Sequence, residues 1–142
     1  MPTPVESATL NLKLFELRRD PVLREARQWW LDDFTPRTFE ELAAVAGGER
    51  NASFRMVAGY WDMAASMVTY GAIDPDMFRA ANPEMVGAVA KVYPFLAQLR
   101  EASGIAEFMR HAEAVVVGMA GGVERMERLR EQVLARRSQR EG

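Results

Sequence analysis

The chain contains no cysteine and only one histidine, His111, among its 142 residues. The absence of cysteine excludes disulfide bonds, thiolate catalysis and cysteine-ligated metals. Glu107 precedes His111 by one helical turn, but metal sites in helical bundles need further Glu and His side chains from other helices. We therefore expect no metal site and no cofactor, and we interpret Glu107 and His111 as a solvated helix face.

Long apolar runs are also missing. No window approaches the 18 uncharged apolar residues that a membrane-spanning helix needs, and the first ten residues, MPTPVESATL, lack the basic and apolar regions of a secretory signal. The net charge of −2 gives no general attraction for nucleic acid or anionic lipid. These absences predict a cytoplasmic protein that acts without a membrane or nucleic-acid partner.

The most apolar stretch runs from Asn51 to Tyr70 and carries the 3.6-residue period of a helix. Its polar side chains fall in one narrow stripe made by Arg55, Asp62, Ser66 and Thr69. A helix that is apolar on nearly all sides must be covered by neighbours. The stretch is therefore predicted to be the central helix of a bundle.

Helix start signals recur along the chain. Asp20-Pro21, Asp74-Pro75 and Asn82-Pro83 each place a capping side chain before a proline, and Thr38 with Glu41 forms a capping-box pattern. No pair of strands is visible. The sequence predicts one all-α domain over residues 1–142, a bundle of about five main helices and two or three short ones.

Three local expectations accompany this fold. Residues 1–6 hold two prolines and are predicted to be a loose tail before a helix that starts at Ser7. Residues 83–102 are predicted to form a helix that bends at Pro94, with Lys91 and Pro94 on its polar stripe. Residues 137–142 are predicted to fray, and the arginines of the last helix to pair with its own glutamates.

Asp62 is the strongest single candidate for a binding residue. It follows Tyr60-Trp61 in the most apolar helix, and a half-buried carboxylate there could bind a ligand or pair with Arg100 or Arg110. The alternative is that Asp62 lies on an exposed stripe. A ligand site between the central helix and residues 83–102 would be formed by Tyr60, Trp61, Asp62 and Tyr93.

The methionines of the central helix, Met56, Met63 and Met67, allow three interpretations. They could fill the core, form a homodimer face, or line an adaptable apolar pocket, because methionine suits irregular surfaces. The sequence does not choose among the three.

No catalytic residues are predicted. The pairs Asp32-Asp33 and Glu40-Glu41 stand at predicted helix ends, without a partner of opposite role or a buried setting that would separate their pKa values. An acid, a base and a nucleophile are not grouped anywhere in the chain. We therefore do not expect an enzyme.

Residues 41–47 resemble the first helix and turn of a DNA-binding helix-turn-helix, with Ala43 and Gly47 at the usual spacing. Onward, Gly48 stands where an apolar turn residue is usual, and Ser53 where the second helix should bury one. The second helix would also be the central helix, which offers only a narrow polar stripe for reading bases. A DNA-binding regulator is thus the weakest of the functions considered.

The middle third of the chain resembles an uncharacterised all-helical domain family of bacterial proteins. The resemblance rests on Tyr60-Trp61-Asp62 within a helix, on the corner from Gly71 to Asp76, and on a later helix with Pro94 and Arg100. It implies an all-helical fold and carries no activity or site residues. The family more often has Glu where this chain has Asp62.

The abundance of apolar helical surface and the lack of a catalytic grouping together favour a non-enzymatic interaction or regulatory module that acts as a homodimer. The alternative is a bundle that binds a small, largely apolar ligand.

Overall fold

The computed structural model describes all 142 residues as nine α-helices and one short 3-10 turn, with no strand. The prediction of a single all-α domain is confirmed. No helix is both long enough and apolar enough to cross a lipid bilayer. The helices are α1 Pro4–Arg18, α2 Pro21–Asp32, α3 Phe39–Ala46, α4 Asn51–Thr69, α5 Pro75–Ala81, α6 Glu84–Ala90, α7 Leu96–Ser103, α8 Arg110–Val117 and α9 Gly122–Glu141, and the 3-10 turn is Tyr93–Phe95.

The central position of α4 is confirmed, because α2, α3 and α8 all pack against it. Its inward face is buried along the helix, from Phe54 to Ala65. Trp30 of α2, which has no exposed surface, stacks on Phe54 with ring centroids 5.3 Å apart. Large aromatic side chains at the crossing of α2 and α4 therefore supply much of the apolar area that stabilises the bundle.

The first helix starts earlier than predicted, so the expected loose tail of residues 1–6 is wrong. Thr3 Oγ1 accepts the Glu6 N–H at 3.1 Å, and the Glu6 carboxylate accepts the Thr3 N–H at 3.0 Å. Pro4 occupies the first helical position, where a missing N–H costs nothing. This complete capping box fixes α1 from Pro4 onward, three residues before the predicted start.

The predicted helix of residues 83–102 is broken rather than bent. It is divided into α6, the 3-10 turn that contains Pro94, and α7. Pro94 lacks a backbone donor, so the regular helix cannot continue through it. Asn82, expected to cap the helix after it, instead turns its side chain into the core and donates to the Phe78 carbonyl at 2.9 Å.

Lys91 is not on an exposed stripe; only 2% of its surface is accessible. Its Nζ donates to the carbonyl oxygens of Trp30 at 2.6 Å and Leu31 at 2.7 Å. The last carbonyls of a helix have no partner within the helix, and they attract a cation. Burial in the core lowers the pKa of Lys91 to about 8, and the positive charge of Arg136 acts in the same direction.

The predicted fraying of residues 137–142 is also wrong, because α9 continues to Glu141. Arg137 Nη1 donates to the Glu41 carboxylate at 2.5 Å and to the Thr35 carbonyl at 2.7 Å. Arg130 Nη2 donates to the Pro36 carbonyl at 2.9 Å. The arginines of α9 thus bind to the segment between α2 and α3 and to Glu41 of α3, and Arg137–Glu141 is the pair formed inside the helix.

Candidate functional site

Tyr60 and Trp61 lie together in the core, with ring centroids 4.9 Å apart. Both are buried, Trp61 completely. The Tyr60 hydroxyl donates to the Leu14 carbonyl at 2.8 Å, and burial raises the pKa of Tyr60. Tyr93 is half-buried on the 3-10 turn and forms no aromatic pair with either residue. The structure therefore brings Tyr60 and Trp61 together, and Tyr93 does not join their aromatic contact.

Asp62 caps a helix from a different part of the chain. Its Oδ1 accepts the backbone N–H groups of His111 at 2.9 Å and Ala112 at 3.0 Å, at the start of α8. No side chain within α8 caps that end. A carboxylate at a helix N-terminus satisfies unpaired donors and interacts favourably with the helix dipole. Asp62 is half-buried and structural in this position.

The expected arginine partners of Asp62 are engaged elsewhere. Arg100 Nη2 donates to Glu113 at 2.9 Å, and Arg110 lies 3.8 Å from the same carboxylate. His111, expected on a solvated face, is half-buried, and its Nδ1 lies 2.6 Å from the Thr69 hydroxyl. No group of three His, Asp or Glu side chains comes together as a metal ion would require.

Arg18 is the residue of this region that sequence reasoning missed. Its Nη1 donates to the Tyr60 hydroxyl at 3.0 Å and to Asn82 Oδ1 at 2.6 Å. Its guanidinium carbon lies 5.3 Å from the centroid of the Trp61 ring, a cation–π contact. No carboxylate forms a salt bridge with Arg18. The only sequence signal was that no acid stands three or four residues from Arg18, the last residue of α1.

A hollow of about 360 Å³ lies between α1 and α5 and includes Arg18. We call it the α1–α5 groove. Its walls are apolar, and two of them, Leu12 and Phe15, are 64% and 53% exposed. Asn11 also lines it; this residue is only 7% exposed, and its Nδ2 donates to no protein atom. The groove is lined by Ala8, Asn11, Leu12, Phe15, Arg18, Met77 and Ala81.

A second apolar hollow, also of about 360 Å³, lies between α3, α4 and α7. Its walls include Phe39, Phe54, Leu99 and Phe108. It lies between the two segments where the sequence predicted a ligand, but none of the four predicted residues lines it. Its one cation, Arg55, is exposed and bonds to Asn51 Oδ1 at 3.0 Å, so water screens the charge.

The outward side of α4, together with the residue Tyr70 that caps its C-terminal end, carries a row of residues spaced alternately four and three apart. This is the heptad spacing with which one helix packs along another. The row is exposed except at Ser66, which is half-buried, whereas Met67 packs against the core. Core filling therefore describes Met67 but not Met56 or Met63. We call this row the α4 seam; it consists of Ala52, Met56, Gly59, Met63, Ser66 and Tyr70.

Comparison with known proteins gives a family but no activity. Residues 3–119 match a domain of unknown function, DUF4760. The chain belongs to this family. Neither the curated proteins nor the solved structures contain a significant match to the chain. The resemblance of the middle third of the sequence to an uncharacterised family is thus confirmed by this match.

The matched part of this DUF4760 domain covers α1 to α8 and ends at Met119, before α9. Both the α1–α5 groove and the α4 seam lie inside it. The arginines of α9 that bind to the α2–α3 segment lie outside it. The two candidate surfaces therefore belong to the part of the chain that the family description covers.

Proposed function

We propose that this DUF4760 domain is a non-enzymatic interaction module that acts as a homodimer, in which two copies pair through the α4 seam. The observation that carries the proposal is the alternation of side-chain size along the seam. One row of the heptad holds the large residues Met56, Met63 and Tyr70. The other row holds small residues at the same seven-residue spacing: Ala52, Gly59 and Ser66.

This alternation is self-complementary when two copies of α4 run antiparallel. When the two-fold axis crosses the helix pair at the level of residue 61, two residues face each other if their numbers add up to 122. Met63 then packs on Gly59 of the second copy, Met56 on Ser66, and Tyr70 on Ala52. Every large side chain faces a small one, which lets the helix backbones approach closely and fill the space between them. A two-fold axis requires such self-complementarity.

Gly59 supports the close approach of a second helix. Glycine in the middle of a helix costs about 1 kcal/mol relative to alanine. A Cβ built on Gly59 would meet no atom of its own chain within 4 Å, so nothing within the subunit requires the glycine. Ser66 also presents little polarity outward, because its hydroxyl donates to the Met63 carbonyl at 2.6 Å. The seam thus carries no charge, and Gly59 leaves room for Met63 of the second copy.

Light scattering coupled to size-exclusion chromatography tests the dimer. A pair of helices of this length is at the small end of specific interfaces, so we expect dissociation in the range of about 1 to 50 µM. Met63→Glu should shift the protein to monomer, because it would bury a charge against the second copy. Val22→Glu is the matched control, since Val22 is an exposed apolar residue of α2. A wild-type protein that stays monomeric at about 200 µM would refute the dimer, as would equal effects of the two variants.

A further inference from the structure

We propose that the α1–α5 groove binds a small amphipathic carboxylic acid, with the carboxylate on Arg18 and the apolar body against Leu12, Phe15 and Met77. This inference is independent of the dimer, because the groove lies on α1 and α5 and the seam on α4. Charge, hydrogen bonding and shape each support it.

The charge of Arg18 is not balanced within the chain. Its guanidinium is half-buried and rests between the rings of Phe15 and Trp61, at 5.9 and 5.3 Å. Glu84, whose charge acts on Tyr60 alongside that of Arg18, is held by Arg27 through two hydrogen bonds of 2.8 and 2.7 Å. Charged groups that are removed from water are usually paired. Arg18 therefore favours an anion that comes from outside the chain.

The geometry of the guanidinium selects the kind of anion. Nη1 is occupied by Tyr60 and Asn82, while Nε and Nη2 donate to no protein atom. These two nitrogens form the edge of the guanidinium that binds a planar carboxylate through two parallel hydrogen bonds. Tyr60 and Asn82 hold the opposite edge, so the side chain is already oriented before any ligand arrives.

Asn11 supplies an unpaired donor in the same groove. Its Oδ1 accepts from Asn82 at 3.0 Å, which fixes the orientation of the amide, and its Nδ2 is left without an acceptor. A buried donor without a partner costs about 1–3 kcal/mol. A ligand oxygen that accepts a hydrogen bond from Asn11 Nδ2 beside Arg18 would recover part of this cost.

The walls determine the rest of the ligand. The groove is almost wholly apolar apart from Asn11 and Arg18, and its volume of about 360 Å³ is at the lower end of small-molecule sites. Leu12 and Phe15 are more than half exposed, so a ligand that covers them would remove their apolar surface from water. An aliphatic or phenyl body of modest size fits this space.

A titration with two matched compounds tests the inference. We expect 4-phenylbutanoate to shift the NMR signals of Arg18 Nε–H and the Asn11 side-chain amide in a saturable manner. 4-Phenylbutan-1-ol has the same apolar body without the charge, and its affinity should be lower by a factor of about ten or more. Equal affinities would show an apolar groove without an anion site and would overturn the proposal. A lack of saturable shifts with about 20 mM acid would overturn it as well.

Variants that leave the core intact give a second test. Leu12→Glu adds a negative charge at an exposed wall and should weaken binding of the acid about tenfold, whereas Val22→Glu on α2 should leave it unchanged. Arg18→Lys keeps the positive charge but cannot form two parallel hydrogen bonds to a carboxylate. We expect its affinity for the acid to fall between those of the wild type and Leu12→Glu. Met63→Glu should retain binding even as a monomer, which separates this site from the dimer. If Leu12→Glu and Val22→Glu bind the acid with equal affinity, the acid does not bind in the α1–α5 groove.

Discussion

The ammonium of Lys91 closes the C-terminal end of α2, with Nζ 2.6 Å from the carbonyl oxygen of Trp30. Trp30 itself donates from Nε1 to the Ala88 carbonyl at 3.0 Å, so α2 and α6 exchange polar contacts in both directions. These contacts cross the aromatic cluster at the centre of the molecule. A single buried cation therefore joins the end of α2 to the end of α6, beside the Trp30–Ala88 hydrogen bond and the Arg27–Glu84 salt bridge.

Replacing Lys91 with methionine should destabilise the fold. The change keeps most of the side-chain volume but leaves the carbonyls of Trp30 and Leu31 without this donor. We expect a loss of about 2 kcal/mol in the free energy of unfolding, because each unpaired buried acceptor is costly and part of that cost is offset by removing a buried charge. Urea denaturation at pH 7 measures it. A variant as stable as the wild type would show that the carbonyls do not need Lys91.

The same residue should make stability depend on alkaline pH. The folded protein holds the Lys91 proton less tightly than the unfolded chain, since its pKa is about 8 rather than 10.5. Stability should therefore rise as the pH increases from about 8 toward 10.5, by roughly 3 kcal/mol in total. Lys91→Met should lack this rise. Parallel pH profiles for the two proteins would mean that the carbonyl acceptors keep the ammonium at its ordinary pKa.

The cap that Asp62 places on α8 predicts a graded response to mutation. Asp62→Ala removes the acceptor for the His111 and Ala112 amides and should cost about 1–2 kcal/mol. Asp62→Asn keeps an oxygen acceptor and loses only the charge, so it should cost less than about 1 kcal/mol. Hydrogen exchange should accelerate at those two amides in Asp62→Ala. Unchanged protection there would rule out the cap.

The orientation of the proposed dimer can be fixed by cross-linking, because the natural chain has no cysteine. Met56 and Ser66 lie about 15 Å apart along one helix, too far for a disulfide within a subunit. In the antiparallel dimer Met56 faces Ser66 of the second copy. The double variant Met56→Cys/Ser66→Cys should give a covalent dimer on mild oxidation, and Met56→Cys alone should not. Efficient cross-linking of the single variant would instead indicate a parallel pair.

Arg137 should anchor α9 to the rest of the domain. We expect Arg137→Ala to cost about 1 kcal/mol, since the pair with Glu41 is partly exposed and water screens it. Arg128→Ala is the matched control, because Arg128 is exposed and forms no hydrogen bond through its side chain. The hydrogen bond from Arg137 holds the pKa of Glu41 below its ordinary value of 4.5. The stabilisation from this pair is therefore present at neutral pH and lost as acid protonates Glu41, so the difference between the two variants should shrink as the pH falls below 4.5. Equal stability of the two at pH 7 would contradict the anchor.

The sequence by itself determined the helical class and most helix boundaries. The central helix was predicted at residues 51–70 and is found at Asn51–Thr69. Asp20, Thr38 and Asp74 cap the helices that follow them, as their patterns indicate. Capping and helical periodicity depend on groups within about four residues of one another, and short-range patterns of this kind can be recognised in a sequence.

Only the tertiary structure decided where the long polar side chains go. Lys91 binds a carbonyl 61 residues away, Asp62 an amide 49 residues away, and Arg18 an amide oxygen 64 residues away. The helical wheel placed Lys91 and Asp62 on the polar stripes of their own helices. In the structure Lys91 is buried, and Asp62 caps a distant helix. The wheel describes a single helix, whereas burial and hydrogen bonding depend on which unsatisfied groups the neighbouring helices bring within reach.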